Sequence, residues 1–483
     1  MGIGPGISPV QGTRPMTSLF GVLNNSSNGL RLIQGQLGLV AENVAKADDP
    51  NRSRHSLEQT SDNQGGTGIA QYKRQVDVAL RVQLEQTISE ESGAATTADY
   101  MRKATDLLGT TAGKPPVTDA LDKFETAWKE LAATPESTVA QGQIVVHGED
   151  LARELRRLND GITSIEKQLD TDINQSVEKL NSALSSIDQL NTNILVTRGA
   201  GDPTMEMEDR RDSLVREVAG MMSIRTVERA DGKLSIFTTS GVSLLDAAPV
   251  KFTYDNGQLR SSASDRDLTG MVRDGKLGAL LELRTDGSVQ DPPQPASNLP
   301  GAEILRKLRS QTQAIAEAFL GSTKPGEPTS FADAYNSANP VGEGELPNRF
   351  FIGTGAGNIE INPGLLSGDY TVKASAAAGV ADAMNAAGRT INADGLRATG
   401  LSYGSMVSTV IAQWSSNQKV ASEQATIATD FKAQLEGRYK NNTGVNMDEE
   451  IAMLQVLQRN YSAAARVMQT VNNMLDAIEG IVR

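Results

Sequence analysis

Near the end of the chain the apolar positions fall at Leu454, Leu457, Tyr461, Ala464, Met468, Val471, Leu475, Ile478 and Val482, in steps of 3, 4, 3, 4, 3, 4, 3 and 4. Alternating threes and fours are the heptad spacing of a coiled-coil seam. Asn446-Met447-Asp448-Glu449 stands just before the seam, an N-cap followed by Glu at the third helical position, so a helix start is written there. Such a helix is roughly 55 Å long. A helix with one apolar stripe needs a partner, and the opposite terminus offers one. Met16, Leu19, Leu23, Ser26, Leu30, Ile33, Leu37, Val40, Val44 and Ala47 follow the same spacing with one Ser in it. Two ordinary amphipathic surface helices would carry a wider stripe. The strict spacing instead predicts ends that lie against each other and against copies of themselves, with Leu19, Leu23, Leu30, Ile33, Leu37, Val40, Val44, Leu454, Leu457, Tyr461, Met468, Val471, Leu475, Ile478 and Val482 as the packing seam.

Between these ends the pattern changes twice. Asp48-Asp49-Pro50-Asn51 stops the first helix, and the polar, Gly-rich stretch to residue 75 reads as a loop with a short hairpin. Helical spacing resumes from Val76 to Leu108, again from Leu121 to Leu131, then as one long helix over 138–197, and from Met205 to Met222. Around Ile224 the period becomes that of strands: Lys233–Thr238, Val242–Leu245 and Val250–Tyr254, separated by Asp231-Gly232, Ser240-Gly241 and Asp255-Asn256-Gly257. Ile304–Leu320 is helical. From 321 to 400 the chain is Gly/Ala-rich, with strand-like Arg349–Ile352 and Tyr370–Lys373. Helix returns along Val407, Val410, Trp414, Asn417, Ala421, Ala428, Phe431 and Leu435.

The expected class is mainly α with a β-rich insert and nested topology, N and C termini together. Its parts are a disordered leader (1–15), a terminal coiled-coil domain (16–60 with 440–483) and a helical domain (61–225 with 301–321 and 400–439). A β-rich insert (226–300) and an irregular segment with short strands (322–399) complete it.

Composition narrows the chemistry. A formal net charge of -13 without a basic block argues against nucleic acid or an anionic membrane as partner. With no Cys there is no disulfide, thiolate metal site or thiol nucleophile, and two His, His55 and His147, leave little for zinc or acid–base work. No apolar run approaches the ~18 residues of a membrane span, and residues 1–15 have no apolar core of the Sec kind. Gly270–Lys276 fits a phosphate-binding loop for seven positions, but Leu277 stands where Ser or Thr would hold Mg²⁺. Gly400-Leu401-Ser402-Tyr403-Gly404 has the form of a nucleophile elbow, yet no His follows residue 147. Gly353–Asn358 lacks the last Gly of a dinucleotide loop. Glu206, Glu208, Asp209 and Asp212, interleaved with Arg210 and Arg211, read as a solvated helix face with internal ion pairs. No catalytic, cofactor or metal set is expected, and the chain is not read as an enzyme.

Several stretches together resemble the bacterial flagellar hook-associated protein 1 family, the hook–filament junction proteins. Gly444–Glu450, Tyr461, Ala465-Arg466-Val467 and Met474-Leu475-Asp476 look like the family's C-terminal motif. Asn43-Val44-Ala45, Pro50 and Ser53-Arg54 are similar to its N-terminal segment, with departures at Lys46, Asp49, Asn51 and Arg52. Met207–Val215 and Gly275–Leu281 look like two internal elements. The resemblance implies a structural axial protein exported through the flagellar type III apparatus to the extracellular flagellum, without a cleaved signal peptide, and needed for filament assembly and motility. Its implied partners are copies of itself, the hook protein, the second hook-associated junction protein and an export chaperone at the C-terminal region. Other axial subunits, such as the second junction protein or a flagellin-like chain, are the nearest alternative, and an enzyme using the acidic cluster at 206–212 a more distant one.

Overall fold

The computed structural model describes residues 15–61, 67–109, 113–263, 266–284, 303–338 and 349–482. Helix α1 (Pro15–Ala45) leads into a hairpin of β1 (His55–Ser61) and β2 (Thr67–Arg74). Then come α2 (Val78–Leu108), α3 (Pro116–Ala133), α4 (Thr138–Ala200) and α5 (Met205–Met221). A three-stranded sheet of β3 (Ile224–Glu228), β4 (Leu234–Thr238) and β5 (Ser243–Leu245), in that order, is followed by the hairpin β6 (Phe252–Asp255) and β7 (Gln258–Ser261). Next are α6 (Gly275–Arg284), α7 (Ile304–Leu320), α8 (Phe331–Ser337), β8 (Phe351–Ile352), β9 (Glu360–Ile361), α9 (Pro363–Ser367) and α10 (Ala377–Asn385). The hairpin β10 (Arg389–Ala393) and β11 (Leu396–Leu401) precedes the two last helices, α11 (Tyr403–Thr443) and α12 (Met447–Val482).

Caps fix most helix boundaries. Asp77 accepts from the amide of Leu80 to start α2, and Ser137 from that of Ala140 to start α4. Ser402 and Ser405 form a reciprocal box at the start of α11, which is the work the Ser of the Gly400–Gly404 motif does. Residues 1–14, most of the expected leader, lie outside the described residues. Pro15 is already helical, because the first turn needs no proline N–H.

One apolar core runs from Tyr100 to Ala421 and joins α2–α8, α10, α11 and the small sheets. Its centre is an aromatic knot in which Phe124 lies 5.5 Å from each of Phe331, Phe350 and Phe351, and Phe319 stacks on Tyr403 at 4.5 Å. The few rings of this chain are therefore concentrated where they order the body. α4, 63 residues long, is the spine of this body and spans roughly 95 Å.

Three segments differ from the sequence-based expectation. Among the described residues of the 226–300 insert, the strands end at Ser261. Gly275–Arg284 is helix, because Leu277, Leu280, Leu281 and Leu283 cluster on the core when wound at 3.6 residues per turn. Within 322–399 the short strands are present, β8 (Phe351–Ile352) among them, but Tyr370–Lys373 is not a strand, and the described residues add three short helices, α8, α9 and α10. On α11, Phe431 faces outward, while Ala421 and Leu435 are buried. The cause is that α11 packs chiefly along one helix, α2, so only a narrow stripe is covered.

Candidate functional site

α1 and α12 pack along each other and run antiparallel: Asn43, near the end of α1, meets Glu450 in the first turn of α12, and Gln34 donates to the Tyr461 hydroxyl. The seam positions on α12 are the covered ones. Leu457 and Val471 are buried, and Leu454, Tyr461, Ala464, Met468 and Leu475 half-buried, while nearly all residues between them are exposed. On α1, Val40 is buried and Leu23, Leu30, Ile33, Leu37 and Val44 half-buried. The side chains of Leu19, Ile478 and Val482 lie outside the described residues. Among the described seam residues Val40, Leu457 and Val471 alone are buried, so the pair leaves apolar surface uncovered.

A second row of positions on α12 is open as well. Met453, Val456, Asn460, Ala463, Val467, Thr470, Met474 and Ala477 are all exposed, and they too step 3, 4, 3, 4, 3, 4, 3. Val456 is 44% exposed, Val467 47% and Met474 53%. Met453, Val456, Val467 and Met474 are large and apolar, Ala463 and Ala477 small, and Asn460 and Thr470 polar, a row on an open helix face that a further helix would cover.

At the other end of this pair the chain brings together residues distant in sequence. Arg54 donates to Glu450 at 2.6 Å, and Glu450, 1% exposed, also accepts from Asn43 at 3.3 Å. The Asn43 amide bridges the backbone of His55 as well, giving 2.9 Å to its carbonyl and taking 3.3 Å from its N–H. Asp209 accepts from Ser53 Oγ at 2.6 Å, lies 2.8 Å from His55 Nε2, and takes Arg74 at 3.2 Å. Arg74 also reaches Glu208 at 2.9 Å and Asp212 at 2.7 Å. Lys46 bridges Glu42 and Glu206, and Arg216 donates to Asn51. Arg81 joins Asp212 and Glu85.

Burial and pairing compete in setting the charges here. Burial tends to raise Asp209, but hydrogen bonds from His55 and Ser53 and the Arg74 charge outweigh it and hold the carboxyl below its usual range. Glu208 is held low in the same way by Thr204, Arg74 and Arg198. Glu85 goes the other way: burial, with Asp212 nearby, pushes it up to about 7 against Arg81 and Arg216. Arg74 is held above its ordinary range, since Asp212, Glu208 and Asp209 overcome its burial.

This corrects the reading of 206–212 as a solvated face with internal pairs. Asp209, Arg211 and Asp212 are buried, and the carboxylates pair with residues from β1, β2 and α2. Arg211 turns away to Asn191 and the Gly232 carbonyl. Spacing within one helix cannot reveal partners 130 residues away, and Arg74 and Arg81 carried no sequence signal of their own. His147, by contrast, is far from this cluster and lines a shallow groove between α3 and α4. Among the described residues no group of three or more His, Asp or Glu could hold a metal ion, and no helix is long and apolar enough to cross a membrane.

Residues 101–323 match the family described as flagellar hook-associated protein FlgK helical domain, and residues 439–481 match the flagellar basal body rod FlgEFG protein C-terminal family. The chain is 21% identical over 553 residues to flagellar hook-associated protein 1 of Escherichia coli (strain K12), covering 95% of this chain and 99% of that protein. It is 23% identical over 524 residues to flagellar hook-associated protein 1 of Bacillus subtilis (strain 168), covering 96% and 98%. Among solved structures, the flagellar hook junction protein FlgK from Burkholderia pseudomallei aligns with a TM-score of 0.42 and 17% identity over 56% of this chain and 46% of that one. The chain thus resembles flagellar hook-associated protein 1 from one end to the other.

Proposed function

We propose that this chain, similar along nearly its whole length to flagellar hook-associated protein 1, is a structural, non-enzymatic subunit of the junction between flagellar hook and filament. The observation that carries the reading is the double stripe of α12: one stripe lies on α1, and the other is open at the same heptad spacing. In an axial tube the open stripe packs on a terminal helix of a neighbouring copy. Each apolar side chain buried there contributes ~1.5–3 kcal/mol, so a ring of subunits gains from many such contacts at once. Copies of itself, hook protein and the second junction protein are the partners. An export chaperone covers the C-terminal region before the chain passes through the type III apparatus to the cell exterior.

An enzyme built on the 206–212 carboxylates is disfavoured, because Glu208, Asp209 and Asp212 are already occupied by arginine, histidine and serine donors. The experiment is deletion of the gene in its own flagellated host. Hooks without filaments, with filament protein shed into the medium, support the reading. Normal filaments on the deletion strain overturn it.

A further inference from the structure

Strands β4 and β6 each leave a stretch of backbone edge that no other strand covers, and α4 closes both with a side-chain amide. In an antiparallel pair, residues bonded to the partner strand alternate with residues whose N–H and C=O face away from it. The Arg229 N–H bonds the Lys233 carbonyl at 2.8 Å, so Leu234, opposite Glu228, turns its N–H and C=O away from β3. β5 lies on that side but ends opposite Ile236. The Ser262 N–H likewise bonds the Lys251 carbonyl at 2.8 Å, so Phe252, opposite Ser261, turns its backbone away from β7. Among the described residues β6 pairs with β7 alone.

Asn191 meets Leu234 from α4. Its amide nitrogen donates to the Leu234 carbonyl at 2.9 Å, and its oxygen accepts from the Leu234 N–H at 3.1 Å. Asn181 meets Phe252 in the same way, at 2.8 Å in both directions. A carboxamide carries an acceptor and donors side by side, so it copies the pair of bonds a neighbouring strand would make; an ionised carboxylate has no donor for the carbonyl. The two contacts differ in setting. Asn191 is 2% exposed, and its oxygen also accepts at 3.2 Å from the buried Arg211, which reaches the Gly232 carbonyl in the turn before β4. Bonds from a charged donor are the stronger kind. Asn181 is half-buried, and its hairpin has a further bond to α4 from the Tyr254 hydroxyl to Asp170 at 3.0 Å, a carboxylate that solvent reaches.

We propose that Asn181 and Asn191 are the positioning residues that fix the β3–β7 insert on α4, each standing in for an absent edge strand, and that the insert detaches first at the Asn181 end. Side chains alternate faces along a strand, so a slip of one residue in β4 or β6 would turn the buried Leu234 or Phe252 away from the core. Without the asparagines the N–H and C=O of these two residues would be left unpaired, which costs more than a single bond contributes. The two amides stand roughly 15 Å apart along α4. Together they set both the position and the direction of the strands against the helix.

Hydrogen exchange on the full-length chain tests this, read by mass spectrometry in peptides spanning 232–245 and 250–262 and corrected for the intrinsic effect of pH on exchange. In the unaltered chain 250–262 should exchange faster than 232–245. Asn181→Ala should speed 250–262 about tenfold, equally at neutral pH and at about pH 5, and leave 232–245 and the centre of α4 unchanged. Asn181→Asp should do the same at neutral pH but regain most of its protection at about pH 5, because protonation of the new carboxyl restores a donor to the Phe252 carbonyl. Asn191→Asp should speed 232–245 without that recovery, because Arg211 keeps the new carboxylate charged. Faster exchange of 232–245 than of 250–262 in the unaltered chain, a measurement that needs no variant to fold, overturns the order of detachment. Unchanged exchange of 250–262 in Asn181→Ala overturns the role of the amide, and so does Asn181→Asp that stays open in acid, because packing then holds the strand. Equal speeding of α4 overturns it too, because the loss is then global.

Discussion

Arg54 Nε lies 2.6 Å from a carboxylate oxygen of Glu450, a residue 396 positions further along the chain and almost wholly buried. This contact and the Asn43 amide beside it anchor the first turn of α12 to the segment that ends α1. Glu450→Ala removes the shared carboxylate from the Arg54 guanidinium and the Asn43 amide. A loss of about 2–4 kcal/mol is expected. Hydrogen exchange along residues 447–460 should rise markedly, and Glu450→Gln should show a smaller effect of the same sign.

The seam itself is tested at Leu457, which is buried where α12 meets α1. Leu457→Ala should cost about 2–3 kcal/mol of pairing. Faster exchange in both α1 and α12, with unchanged exchange in α4, is the expected signature. Equal loosening of α4 would mean that the terminal pair and body form one cooperative unit.

Gly275 opens α6 with φ +64, and a Cβ there would sit 2.3 Å from the carbonyl carbon of Met221 and 2.4 Å from the amide nitrogen of Met222. Gly275→Ala therefore meets both a left-handed backbone and the end of α5, neither of which can yield cheaply. A drop of several kcal/mol in the thermal stability of the body is expected. The glycine of the would-be phosphate loop is thus needed for close helix packing.

How much could be read in advance divides along the range of the interactions. Helix α7 was legible to the residue, and α4 and α5 to within a few residues, because periodicity and caps are local. The Asp255-Asn256-Gly257 turn was equally legible, since Asn256 and Gly257 both take positive φ between paired strands. The heptad spacing of α12 is in the sequence, as is its second stripe, which became noticeable only once exposure distinguished Val456 and Val467 from Leu457 and Met468. The joint was not legible. Asn43, Arg54, Asp209 and Glu450 each stood in a stretch resembling one family, but nothing local states that they converge. Nor could local spacing show that Arg74 and Arg81 complete the cluster.

Glu85 gives the joint a pH dependence of a particular sign. Its carboxyl is raised from an ordinary value of 4.5 to about 7 by burial. A raised carboxyl contributes stability that is fully present below the unfolded value and is lost as pH rises through about 7. Asp209, held low, acts oppositely, losing its contribution only as pH falls below the ordinary carboxylate range. Between about pH 4.5 and 7 the stability should therefore fall, by an amount on the order of 1–3 kcal/mol, and the thermal midpoint with it. In Glu85→Gln that fall should be largely absent. An unchanged slope in the variant would show that another group is responsible.

Assembly through the open stripe of α12 is the claim on which the functional account stands. The most direct measurement is complementation of the deletion strain with Val456→Glu plus Val467→Glu, two exposed positions whose replacement leaves the α1–α12 seam intact. The account predicts that this chain is exported at normal levels and keeps its helical content, while the cells bear hooks without filaments and shed filament protein. Filaments of normal number and length on those hooks would contradict it.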